Sequence, residues 1–161
     1  ATDITRTFCR NLPNEKQKEI YTFVLKAFLN AFFAKNVKNG YKLDKIARNI
    51  LNEKKSEGFL FNHALGHGVG VNVHEMPPSI SKSKFSKRKL KPNMVFTLEP
   101  GAYKEKCFGV RLENTVYTVK KGNKLKIRTL VKFPFEEKCI DFGLLSKNEK
   151  RLFRKYKRLT K

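Results

Sequence analysis

The chain has 161 residues, the length of one domain, with 40% hydrophobic and 12% aromatic residues, enough for a buried core and too apolar for a disordered chain. No run of eighteen apolar residues occurs, which excludes an apolar helical span, and the opening ATDITRTFCR lacks the apolar stretch of a secretory leader. The formal charge of +22 invites a polyanion partner, yet lysines are spread along the whole chain and no nucleic-acid motif accompanies them.

In chain order, TDITRTF is short, β-branched and alternating, and predicts a strand. Pro13 and Asn14 then open an amphipathic helix, in which Ile20, Phe23, Val24, Ala27, Phe28 and Ala31 recur at three- and four-residue spacing. That helix is expected to close near Asn39–Gly40. LDKIARNILNEKK predicts a second, shorter helix. Glycines rule out a helix over 59–75, and VGVNVHE alternates as a strand. MVFTLEPGAY, FGVRLENTVYTV and KLKIRTLVKF read as three more strands, with turns at Pro100–Gly101 and at 121–123. The last element, SKNEKRLFRKYKRL, is a helix whose Ser146 and Glu149 are spaced as a capping box. Strands and helices in separate groups predict an α+β fold.

All three histidines, His63, His67 and His74, fall within 63–75 beside Gly66, Gly68 and Gly70. His63 and His67 have the spacing of a helical zinc motif, but its Glu is absent and glycines flank His67, so that reading fails. On a straight strand His67 and His74 would face opposite ways, and a glycine-permitted bend could turn both into one cavity. Asp3, Glu99 and Glu113 each sit among apolar neighbours in a predicted strand, where a carboxylate is seldom buried unless paired or bound to metal. Pairing with Arg6 or Arg111 at a strand edge is one account. Three acids with one glycine-framed imidazole suit the other, an oxygen-rich site for Mn, Co, Fe or Zn. Cys9, Cys107 and Cys139 form an odd, scattered set with no CxxC spacing, which fits a reducing, cytoplasmic compartment. The chain lacks an initiating Met and opens in mid-strand, so a piece of a longer protein is expected.

TDITRTF, HALGHGVGVNVHE, TLEPGAY and GVRLEN, in this order and approximate spacing, resemble the pita-bread metallopeptidases, and within them the aminopeptidase P and prolidase branch. The resemblance covers residues 1 to about 119 and implies a partial pita-bread fold, a curved antiparallel sheet with flanking helices. Residues 1–128 would be the C-terminal portion of the catalytic domain, and 129–161 a C-terminal extension ending in a basic helix. The family's centre holds two metal ions with two Asp, one His and two Glu. Asp3 would match the bridging Asp, and His67 the lone imidazole, on one ion together with Glu99. Glu113 would be the other bridging carboxylate. Glu99 would also serve as general base, His63 and His74 would contact the substrate and the developing tetrahedral centre, and Arg111 would support the carboxylates.

The implied activity is an Xaa-Pro aminopeptidase, hydrolysing the bond before a proline at the second position with a water activated by two divalent ions. Manganese ranks first, with Co, Zn and Fe as alternatives. The resemblance also implies a homo-oligomer. The family's first Asp ligand lies upstream of the second, and this chain starts two residues before Asp3. The missing N-terminal half of the protein is therefore counted as a partner, and the chain alone is expected to be inactive. Asn114 stands where many relatives carry an acid, and is expected to touch no ligand. The alternative is a non-catalytic pita-bread module binding a partner or nucleic acid through its basic surface, since fold alone does not settle function. Nucleic acid and membrane are not the expected partners.

Overall fold

A computed structural model describes residues 1–160 of the chain. Helix α1 (Glu15–Phe32) starts where Pro13 and Asn14 predict. The Asn14 carboxamide accepts from the Gln17 backbone N–H, and the Gln17 side chain accepts from the Asn14 N–H, both at 2.9 Å. Ile20, Val24, Leu25, Ala27, Phe28, Leu29 and Ala31 are fully buried, so the helix is packed on more than one side. Its expected end is wrong: α1 stops at Phe32. Asn36 takes a left-handed conformation (φ 55°) that a helix cannot run through, and Asn39 is the cap of the next helix, accepting from the Lys42 N–H. That helix is α2 (Gly40–Leu51), and its first residue is a glycine because a side chain there has no room: a Cβ would lie 2.1 Å from the Ser79 carbonyl oxygen. After Leu51 the chain tightens into a 3-10 turn over Asn52–Glu57, where the helix was expected to continue.

The described residues form eight strands, in chain order β1 (Ile4–Thr5), before α1, and then β2 (Gly66–Gly68), β3 (Glu75–Ile80), β4 (Val95–Leu98), β5 (Gly101–Lys104), β6 (Phe108–Arg111), β7 (Glu113–Lys121) and β8 (Lys124–Thr129). The main sheet runs β1-β7-β4-β2-β3, with β8 also on β7, and β5 and β6 form a separate hairpin; every pairing is antiparallel. With its flanking helices this is the expected α+β architecture. The strand expected over 69–75 is absent. Val71 is 93% exposed, so no apolar face drives pairing, and the Gly70 N–H bonds the Asn72 carbonyl within a loop. The unanticipated strand is β3, whose Pro77 and Pro78 argue against a strand in sequence; it is tolerated because β3 is the sheet edge. The single strand expected over 108–119 breaks at buried Leu112, which sends β6 to the hairpin and β7 to the main sheet.

The final helix, α3 (Lys147–Leu159), carries the predicted Ser146–Glu149 box. It buries Phe153 and Tyr156, and the Tyr156 ring meets Phe28, Phe32 and Phe135. No helix among the described residues is long and apolar enough to cross a membrane.

Candidate metal centre

Strand geometry decides which side chains meet. Residues two apart on a strand share a face, so Asp3 and Thr5 point one way from β1, and Thr97 and Glu99 share a face at the end of β4. The register places Thr5 opposite Glu113 on β7, and Asp3 is locked to the same strand by Thr115, whose hydroxyl accepts from the Asp3 N–H at 3.1 Å and donates to the Asp3 carbonyl at 2.6 Å. Glu99 is fixed through its own N–H, which donates to the Leu65 carbonyl at 2.8 Å. His67 lies on β2 and its N–H donates to the Thr97 hydroxyl at 3.2 Å. Gly66 permits this contact, since a Cβ there would lie 1.9 Å from the Thr97 carbonyl oxygen.

The four expected ligands converge. His67 Nε2 stands 3.5 Å from Asp3 Oδ2 and 3.4 Å from Glu99 Oε1. His67, Glu99 and Glu113 present ligand atoms within 4.8 Å of one another, as do Asp3, His67 and His74. His67 Nδ1 lies 2.9 Å from the Gly68 carbonyl, which can only accept, so Nδ1 carries the proton. Nε2 then faces carboxylate oxygens, an assembly of acceptors that suits a cation. Glu113 shows the same demand. Burial, then the neighbouring Glu99 and Asp3 carboxylates, push its pKa up to about 7, although the Thr5 hydroxyl donates to Oε2 at 2.5 Å. Asp3, His67 and His74 form one group and His67, Glu99 and Glu113 another, sharing His67, and each has donors that suit a divalent ion.

The other expected residues surround this group. The loop between β2 and β3 folds His74 back so that its ring centroid lies 4.0 Å from that of His67, the bend that a straight strand would have denied. His74 is exposed and stands within ligand reach of Asp3. His63 Nδ1 lies 3.8 Å from Glu99 Oε2 and donates to the Ala64 carbonyl at 2.7 Å, while Nε2 accepts from the Tyr103 hydroxyl at 2.9 Å. Burial lowers the His63 pKa. Arg111 Nε donates to the same Tyr103 hydroxyl at 2.7 Å and NH1 stands 4.0 Å from Glu99 Oε2. Thr5, Thr97 and Tyr103 escaped the sequence reading. Strand period would have found the two threonines, each two residues from an expected ligand. Tyr103 has no such signal, because only the β5–β6 hairpin brings it to Arg111.

Residues 1–120 match the profile of metallopeptidase family M24. An Xaa-Pro dipeptidase of Pyrococcus horikoshii is 47% identical over 129 residues, 80% of this chain and 36% of that protein. A probable Xaa-Pro aminopeptidase P of Sclerotinia sclerotiorum is 36% identical across 97% of this chain, covering 28% of its own length. Among solved structures, an X-prolyl aminopeptidase of Caenorhabditis elegans, described as a cytosolic enzyme with a di-nuclear active site, superposes with a TM-score of 0.84 at 33% identity, over 96% of this chain and 26% of that one. The chain thus spans about a third or less of the relatives it matches. It belongs to metallopeptidase family M24, among the pita-bread aminopeptidases P and prolidases.

Proposed function

We propose that the intact protein is a metal-dependent Xaa-Pro aminopeptidase that hydrolyses the bond before a proline at the second position. The observation that carries this reading is the convergence of Asp3, Glu99 and Glu113 on the His67 imidazole. The aminopeptidases of S. sclerotiorum and C. elegans match 96–97% of this chain, so the likeness to them extends past residue 129, and this supports the aminopeptidase reading. Two divalent cations, manganese first, would be held by Asp3, His67, Glu99 and Glu113. When bound they would acidify a water and polarise the scissile carbonyl.

Glu99, 3.2 Å from the Thr97 hydroxyl that steadies it, takes the proton of the attacking water. Exposed His74 hydrogen-bonds the oxygen on which charge develops. Both His63 nitrogens are engaged, so His63 acts by ordering Tyr103, with Arg111 on the far side of the same hydroxyl. A tertiary amide before proline has no N–H, so the pocket recognises ring shape. A cytosolic location belongs to this reading, supported by three free cysteines and by the description of the C. elegans enzyme. Residues 129–161 are read as the extension that follows the catalytic residues.

The test is the intact protein on Xaa-Pro peptides, with and without Mn²⁺, beside Glu99→Ala. Loss of the base is expected to lower kcat by at least about 10²-fold. An intact protein that is inert with every divalent ion, and indistinguishable from Glu99→Ala, ends the proposal.

A further inference from the structure

Helix α2 carries a buried ion pair that the reaction as described does not use. Asp44 is 1% exposed, and Arg48, one turn on, donates to both its oxygens, through Nε at 2.9 Å and NH2 at 2.8 Å. A buried pair of this kind is weak evidence of stabilisation, because desolvating two charges offsets their attraction. The remaining donors show where it is directed. Arg48 NH1 donates to the Phe61 carbonyl at 2.7 Å and NH2 to the His63 carbonyl at 2.8 Å, while the guanidinium lies 4.2 Å from the centre of the Phe61 ring. Phe61 in turn meets the His63 ring edge-on at 4.8 Å. His63 is therefore held twice, from behind through its backbone by Arg48 and in front through its ring by Tyr103.

We propose that the Asp44–Arg48 pair is a positioning device that fixes the 61–63 segment from helix α2, and with it the His63–Tyr103–Arg111 hydroxyl relay beside the metal ligands. This rests on the peptidase reading for its catalytic consequence. Asp44 fixes the plane of the guanidinium, and only a planar fork can serve one carboxylate and two carbonyls at once; a lysine in its place keeps the charge with three donors on a single atom. None of Asp3, His67, Glu99 and Glu113 bonds to the pair, so its effect is on geometry and not on metal binding.

The experiment uses Arg48→Lys, chosen because it keeps Asp44 paired, together with His63→Ala and the double variant, all in the intact protein. Arg48→Lys is expected to retain its melting temperature and bound Mn²⁺ and to lose about 10²-fold in kcat/KM on an Xaa-Pro peptide, the scale of an ångström-sized misplacement. On top of His63→Ala it should cost little more, since the two act as one unit. A second reading needs no turnover. Diethyl pyrocarbonate modification of the metal-free protein, followed by peptide mass spectrometry, should show His63 reacting severalfold faster in Arg48→Lys, with exposed His74 unchanged. Losses that multiply in the double variant, an unchanged His63 labelling rate, or equal acceleration at all three histidines would each overturn the clamp. Wild-type protein that labels as expected but cleaves no Xaa-Pro peptide would instead remove the peptidase reading and leave the clamp standing.

Discussion

Glu113 is the residue on which the site's electrostatics turn. It is 2% exposed, faces two other carboxylates, and without a cation its pKa is pushed up to about 7, mainly by burial. In the unfolded chain a Glu titrates near ~4.3. Between these values the metal-free folded protein holds a proton that the unfolded chain has released, so this group's contribution to stability is fully present below the lower value and is lost as pH rises through the upper one. A cation held by Glu113 would take the proton's place and remove that loss. Two outcomes follow from the same carboxylate. The melting temperature of EDTA-stripped intact protein should fall as pH is raised from about 5 to about 8, and the increment restored by Mn²⁺ should grow over the same interval. Glu113→Gln isolates the effect, because it should flatten the metal-free slope. A slope identical in wild type and Glu113→Gln would show that this carboxylate is not the proton acceptor.

At the scale of elements, β2 is three residues long and yet supplies the imidazole, so its seating against β4 must be close. Gly66→Ala places a methyl 1.9 Å from the Thr97 carbonyl oxygen, on backbone that cannot swing aside. Overpacking of this kind costs about 1–3 kcal/mol, and the strand can relieve it only by leaving Thr97, which carries both the His67 N–H bond and the Glu99 contact. The expected result is a lower melting temperature together with weaker Mn²⁺ binding; a variant as stable and as tight as wild type would refute the close-approach argument. The same elements show what sequence can and cannot give. Helices α1 and α3 were legible because their caps are local, Asn14 with Gln17 and Ser146 with Glu149. The grouping of Asp3, His67, Glu99 and Glu113 was legible because four motifs carried it. The end of α1 was not, since Asn39–Gly40 looks like a stop and is a start, with Asn39 capping the next helix and Gly40 required by the close approach of Ser79 from a distant strand. VGVNV alternates like a strand, but alternation needs a face to bury and Val71 has none.

For the molecule as a whole, the question is whether residues after Thr129 form an appendage or part of the fold. Arg6, which looked in sequence like a strand-edge partner for an acid, donates instead to the carbonyls of Thr5, Glu113, Phe133 and Pro134 and to the Asn114 side chain. Asn114, fully buried beside Glu113, also donates to the hydroxyls of Thr129 and Tyr156. No sequence pattern announces these ties, because those from Arg6 to Glu113, Asn114, Phe133 and Pro134 join residues more than a hundred positions apart and those from Asn114 depend on the tail folding back. They make the tail the backing of the strand that bears Glu113. Phe135, Cys139, Ile140, Leu145, Phe153 and Tyr156 belong to the same core cluster as Phe28 and Phe32 of α1. Burial of a large apolar side chain contributes about 1.5–3 kcal/mol, so losing this group removes an amount comparable to the ~5–15 kcal/mol that holds a domain folded. Truncation of the intact protein after Thr129 is therefore expected to abolish cooperative thermal unfolding and soluble expression. Tyr156→Phe keeps the ring and removes only a buried hydroxyl, and should cost about 1–3 kcal/mol while the protein still folds. A truncated protein that melts cooperatively and binds Mn²⁺ as tightly as the intact one would show that the tail is separable, and that Arg6 holds the site without it.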